Sequence, residues 1–109
     1  KLRGILDQFE EANPWYNAPE EFDGVYTERS TVYRIGVITY ELLTEALPYA
    51  EYPGGDPEAA VRDAKLSSLD EQLRDLPSDV AAILKKALTH SPEDRYETVL
   101  HMRDAFEQI

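Results

Sequence analysis

Thr31-Val32-Tyr33-Arg34-Ile35-Gly36-Val37-Ile38-Thr39-Tyr40-Glu41-Leu42-Leu43-Thr44-Glu45 is the stretch on which the fold class turns. Eight of its fifteen residues are large apolar or aromatic, and they do not alternate with polar ones as a half-buried strand would. Wound at about 100° per residue, Arg34, Glu41 and Glu45 fall on one narrow stripe with Ile38 among them, and most of the remaining circumference is apolar. A helix that is apolar nearly all round is a buried one. Gly36 costs about 1 kcal/mol of helix propensity against alanine, so the sequence predicts a neighbouring element packed very close there. The competing reading is a strand, which Val, Ile, Tyr and Thr favour. Fifteen residues are long for a strand, and the Glu-Leu-Leu-Thr-Glu end reads as helix. The expectation is a central buried helix over about 31–45.

Upstream, Pro14-Trp15-Tyr16-Asn17-Ala18-Pro19-Glu20-Glu21-Phe22 packs two prolines and three aromatics into nine residues. The prolines forbid a regular strand or helix interior. Pro19 suits the first position of a short helix, with Glu20 and Glu21 near its positive end. Asp23 to Ser30 reads as a polar connection, and residues 1–13 as an acidic loop or frayed helix with Leu2, Ile5, Leu6 and Phe9 as anchors.

Downstream, Pro48, Pro53, Gly54, Gly55 and Pro57 make a surface loop of Ala46–Pro57. Asp56-Pro57-Glu58 reads as a cap and first turn of a helix of about ten residues to Leu66. Ser67 to Leu76 is ambiguous. Pro77-Ser78-Asp79 is a second start signal, leading into Val80, Ile83, Leu84, Ala87 and Leu88 at i, i+3, i+4, i+7, i+8, the clearest amphipathic helix in the chain. Ser91-Pro92-Glu93-Asp94 breaks it, and Thr98 caps a last helix with Val99, Met102, Phe106 and Ile109 on one face. The expected fold is all-α: the buried helix, about three further helices and long ordered loops, with residues 14–109 as one helical unit behind the 1–13 lead-in.

The hydrophobic fraction of 42% supports a core for a chain of 109 residues. The sequence opens on Lys1, which reads as a piece of something longer. It has no cysteine, hence no disulfide framework and no thiolate metal site. No apolar run reaches membrane-spanning length and no leader pattern is present, so membrane insertion is not expected and the expected location is cytoplasmic. With 22 acidic against 11 basic residues, the net charge of −11 repels nucleic acid and anionic membranes. The acidic residues are scattered, not blocked. They fit either an ordinary acidic surface or adaptation to high salt, the latter supported by only four lysines, Lys1, Lys65, Lys85 and Lys86.

Motifs of catalysis are missing. There is no P-loop and no G-x-G-x-x-G, and Gly54-Gly55 reads as a turn. His90 and His101 do not share a metal-ligand spacing, and His90 is explained by the helix end beside it. There is no G-x-S-x-G. Glu10-Glu11 and Glu20-Glu21 are inevitable at this acidity and do not by themselves point to acid–base chemistry. The expected catalytic, metal and cofactor inventory is none.

Three segments, in this order, resemble the C-terminal lobe of a eukaryotic-type Ser/Thr protein kinase. Tyr16-Asn17-Ala18-Pro19-Glu20 resembles the Y-x-A-P-E that closes the activation segment. Val32-Tyr33-Arg34-Ile35-Gly36-Val37-Ile38-Thr39-Tyr40-Glu41-Leu42-Leu43 with Leu47-Pro48-Tyr49 resembles the D-V-Y-S-x-G-V-x-x-Y-E-L-L…P-[FY] helix and exit loop. Ala87-Leu88-Thr89-His90-Ser91-Pro92-Glu93-Asp94-Arg95-Tyr96 resembles the A-L-x-x-x-P-x-x-R-[YF] turn before the last helix. Order and separations match, and together they cover roughly residues 14–109. The resemblance implies that Glu20 and Arg95 form a buried structural ion pair. It also implies that Trp15, Tyr16 and Asn17 line the pocket for the substrate residue following the phosphoacceptor. For Trp15 and Tyr16 the competing reading is aromatic packing.

The departures carry equal weight. The Asp that starts the buried helix in the family, and fixes the catalytic loop, is Thr31 here, a degenerate helix-start position. The Gly-Thr before the pocket is Ala12-Asn13. The family's Gly-rich loop, strand lysine, H-R-D loop and metal-binding D-F-G are not in this sequence; Lys1-Leu2-Arg3-Gly4 is at most a remnant of K-L-x-D-F-G that has lost its Asp. The resemblance therefore implies the substrate-binding-lobe part of a protein that would transfer phosphate from ATP to protein Ser/Thr, not competent alone. ATP and Mg would enter only with the family's missing parts. The alternative is a pseudokinase-type interaction module in signalling. The implied partner is a protein substrate or a regulatory protein.

Overall fold

The structure is a computed structural model that describes residues 14–48, 56–63 and 71–109. The expectations for residues 1–13, Tyr49, Gly54-Gly55 and the helix end at Leu66 lie outside the described residues. The described chain begins with two 3-10 turns, Pro14–Tyr16 and Pro19–Asp23, the second with Pro19 in its first turn. Four α-helices follow: α1 Glu28–Thr44, α2 Pro57–Asp63, α3 Ser78–Ala87 and α4 Val99–Glu107. A third 3-10 turn, Pro92–Asp94, lies between α3 and α4. No strand occurs among the described residues. The class is all-α, with α1 as the central helix.

Helix α1 starts three residues before the expected 31. Thr27 is its N-cap: Thr27 Oγ1 accepts from Ser30 N at 3.3 Å, and Ser30 Oγ accepts from Thr27 N at 3.2 Å. Two orphan donors are met reciprocally, with Ser30 in the place usually held by Glu or Gln. Thr31 therefore stands in the first turn, not at the start of the helix. Apolar periodicity cannot register this turn, because Glu28, Arg29 and Thr31 are polar. At the other end Glu45 takes a left-handed conformation (φ 61°) and returns its N–H to Glu41 O at 2.8 Å, closing the helix.

The apolar circumference of α1 serves two packed clusters. Tyr33, Val37 and Tyr40 pack with Tyr16, Ala18, Ala60, Val61, Leu73, Leu84 and Leu88. Val32 packs with Ile83, Ala87 and Met102. Gly36 lies where α3 crosses: a Cβ there would sit 3.1 Å from both Ala87 Cβ and Leu88 Cδ2. Close approach of α3 is the reason for glycine in mid-helix. The expected face of α3 is the one that packs, with Ile83, Leu84, Ala87 and Leu88 buried and Val80 partly so.

Helix α4 is capped by Thr98, whose Oγ1 accepts from His101 N at 3.1 Å. Met102 is buried, and Val99 and Phe106 are partly buried. Ile109 departs from the expected face: the helix closes at Gln108, and Ile109 is exposed. Leu42 and Leu43 at the end of α1 are also exposed, so the apolar wrapping expected of 31–45 does not extend to its last turn.

Candidate functional site

The site is assembled where the Pro14–Asp23 segment, the start of α1 and the turn before α4 meet. Arg95 is its hub. Nη1 donates to Glu20 Oε2 at 2.8 Å and Nη2 to Glu20 Oε1 at 2.9 Å, a two-pronged pair. The remaining donors go to carbonyls: Nε to Thr89 at 2.7 Å, Nη1 to Arg29 at 3.1 Å and Nη2 to His90 at 2.9 Å. All five N–H groups of the guanidinium are thus used. The Arg95 side chain is wholly buried, and its guanidinium stacks over the Tyr33 ring at 4.8 Å. Ser30 Oγ donates to Glu20 Oε2 at 2.6 Å. Burial pushes the Glu20 carboxyl up, but hydrogen bonds from Arg95 and Ser30 outweigh it and hold the group below its ordinary range.

A second set of contacts holds the neighbouring residues. Glu21 is buried, and its Oε1 accepts from Ala18 N at 2.8 Å at the start of the second 3-10 turn. Arg34 Nε donates to both Glu21 oxygens at 2.9 and 3.0 Å, and Nη2 to Asn17 Oδ1 at 2.8 Å. The Tyr16 hydroxyl donates to Glu41. Burial first, then that hydrogen bond and the Glu41 charge, push the Tyr16 phenol above its ordinary range. Arg62 of α2 reaches Asp23 at 2.7 Å and Glu58 at 2.9 Å, exposed pairs of small energetic weight.

Glu20 and Arg95 are brought together across 75 positions of chain. Trp15 is partly buried against the larger core cluster, and Asn17 is partly buried with its side-chain oxygen on Arg34. Tyr16 has no exposed surface and packs in the larger core cluster, the aromatic-packing alternative named for it. Thr31 is exposed, its hydroxyl 3.5 Å from Thr27 O. Nothing local in the sequence marks Arg34, Glu21, Glu41 and Ser30 as site residues. The available signal was the stripe of α1 that carries Arg34 and Glu41 seven residues apart.

Among the described residues no group of three His, Asp or Glu side chains converges as metal ligands. An open cleft of about 500 Å³ lies between the start of α1, the end of α3 and α4. Its lining mixes the cations Arg29, Lys86 and Arg95 with the carboxylates Glu93, Glu97 and Asp104. No helix among the described residues is long and apolar enough to cross a membrane.

An all-helical body mounted on a buried central helix is the architecture that the resemblance to a kinase C-terminal lobe leads one to expect. Sequence comparison points the same way. The chain is similar to bacterial protein kinases over most of its own length. It is 32% identical over 96 residues to the serine/threonine-protein kinase PknD of Chlamydia trachomatis, covering 86% of this chain and 10% of that protein. It is 36% identical over 93 residues to the tyrosine-protein kinase MasK of Myxococcus xanthus, covering 84% of this chain and 14% of that protein. The PknD of Chlamydia felis is 35% identical over 98 residues, 87% of this chain and 10% of that protein. The chain thus spans about a tenth of the length of the curated relatives it matches. No family model matches it.

Proposed function

We propose that the chain is the substrate-binding-lobe segment of a Ser/Thr protein kinase-like protein, and that alone it transfers no phosphate. The observation that carries this reading is the Arg95–Glu20 pair, which ties the Y-x-A-P-E-like segment to the far end of the lobe. Similarity to kinases named for both Ser/Thr and Tyr supports the reaction class, phosphoryl transfer from ATP to a protein hydroxyl, more than the choice of hydroxyl. Trp15 and Asn17 are the residues we assign to the surface that meets the substrate. The protein partner is a substrate or regulator, and ATP and Mg are held by parts outside the chain.

A second reading, a pseudokinase-type interaction module, is favoured by Thr31. Where the family carries a carboxylate facing the catalytic loop, the chain carries a hydroxyl turned to its own helix. The sequence upstream of Lys1 in the parent separates the two: H-R-D-x-x-x-x-N and D-F-G there favour the kinase, their absence the module. Calorimetric titration of the chain with Mg-ATP is expected to give no heat of binding. Micromolar affinity would overturn the assignment of the nucleotide site to parts outside it.

A further inference from the structure

The polar stripe of α1 is an attachment rail. In sequence, Arg34, Ile38, Glu41 and Glu45 read as the one side of a buried helix that does not belong to the core. In the structure Arg34 and Glu41 instead face the Pro14–Asp23 segment. Arg34 holds Asn17 and Glu21, Ile38 packs on the larger core cluster, and Glu41 receives the Tyr16 hydroxyl. Asn17 is held twice, since its backbone N–H also donates to Pro14 O at 3.1 Å and closes the turn that contains Trp15. Glu21 likewise accepts from Ala18 N and from Arg34 together. The guanidinium therefore bridges the Asn17 and Glu21 side chains, and Glu21 in turn holds the Ala18 N–H. The Arg34 side chain is 17% exposed and that of Glu21 4%, so the bracket is largely shielded from water and its geometry is fixed.

We infer that Arg34 is a positioning residue for the Trp15–Asn17 surface: its two-armed hold on Asn17 and Glu21 sets where Trp15 and the Asn17 amide stand. The inference rests on the substrate-lobe reading only for the purpose of that surface, not for the bracket itself. An ammonium at position 34 would keep the charge facing Glu21 and lose the planar fork that reaches Asn17 at the same time.

Trp15 is the single tryptophan of the chain and reports on the segment directly. In Arg34→Lys, acrylamide quenching of Trp15 is expected to rise about twofold while far-UV ellipticity stays helical, because the segment loosens locally and the body does not. Asn17→Ala leaves the Arg34–Glu21 pair in place, so it remains folded, and it is expected to raise quenching similarly. Wild-type quenching in Arg34→Lys would mean that charge alone positions the segment and overturns the inference. Wild-type quenching in Asn17→Ala would overturn it too, since the second arm would then hold nothing in place. A parent protein that transfers no phosphate would sink the kinase reading and leave the quenching result standing.

Discussion

Arg95 shows what a buried guanidinium requires. Desolvating it is costly, and it is tolerated because every N–H meets an acceptor and Glu20 supplies the countercharge. The pair makes stability depend on acid. Glu20 titrates below its ordinary 4.5 in the folded chain. Its contribution is therefore complete above that value and is lost as pH falls through the lowered one. Tyr16 supplies the opposite limb. Its folded value lies above the ordinary 10.0, so its contribution is complete below 10.0 and is lost as pH climbs beyond it. Thermal melts from pH 7 downward are expected to fall less steeply in Glu20→Gln, and melts above pH 10 less steeply in Tyr16→Phe. Unchanged limbs in these variants would place the titrating groups elsewhere. Of these residues, Glu20 and Arg95 were legible through resemblance alone. Arg34 and Glu41 were visible as a stripe, but periodicity cannot say whether a polar stripe meets water or another segment. Here the answer lies 17 and 25 positions upstream, beyond any local pattern.

At the scale of elements, α1 was legible in body and not in ends. Its buried residues have the 3.6-residue period, which the order of apolar residues exposes, whereas its start depends on the reciprocal hydroxyl bonds of Thr27 and Ser30. Thr27→Ala is expected to lower stability by about 1 kcal/mol as a lost cap, and Thr31→Ala to change it by less than about 0.5 kcal/mol as an exposed site. Urea denaturation of the two variants checks this, and the reverse order would return the helix start to position 31. Gly36 was legible as an anomaly, and the structure supplies its cause in Ala87 and Leu88. In Gly36→Ala a gain of about 1 kcal/mol in helix propensity opposes overpacking of about 1–3 kcal/mol. Because Ala87 Cβ is fixed to α3 and cannot rotate away, the expected net is a loss of about 1 kcal/mol. A stabilised variant would mean that α3 moves aside freely.

For the whole molecule, the structure gives one helix three tasks. Through its apolar faces α1 carries α3 and α4. Through Arg34 and Glu41 it carries the segment that bears Trp15. Through the Arg29 carbonyl and Ser30 it completes the Arg95–Glu20 hub. That the lobe is helical was readable from pattern, and that it is kinase-like from three ordered motifs; how the segment is fastened was not, since each tie joins residues distant in sequence. The hub ties the segment to the helical body, and the two are expected to unfold as one cooperative unit. The direct test is a double-mutant cycle of Glu20→Ala and Arg95→Ala, followed in parallel by Trp15 emission and far-UV ellipticity during urea unfolding. The structure predicts that Arg95→Ala costs about 3–5 kcal/mol, that the two residues couple by about 2–3 kcal/mol, and that both probes report one transition. Additivity within about 0.5 kcal/mol, or Trp15 unfolding ahead of the helices in the wild-type chain, would contradict it.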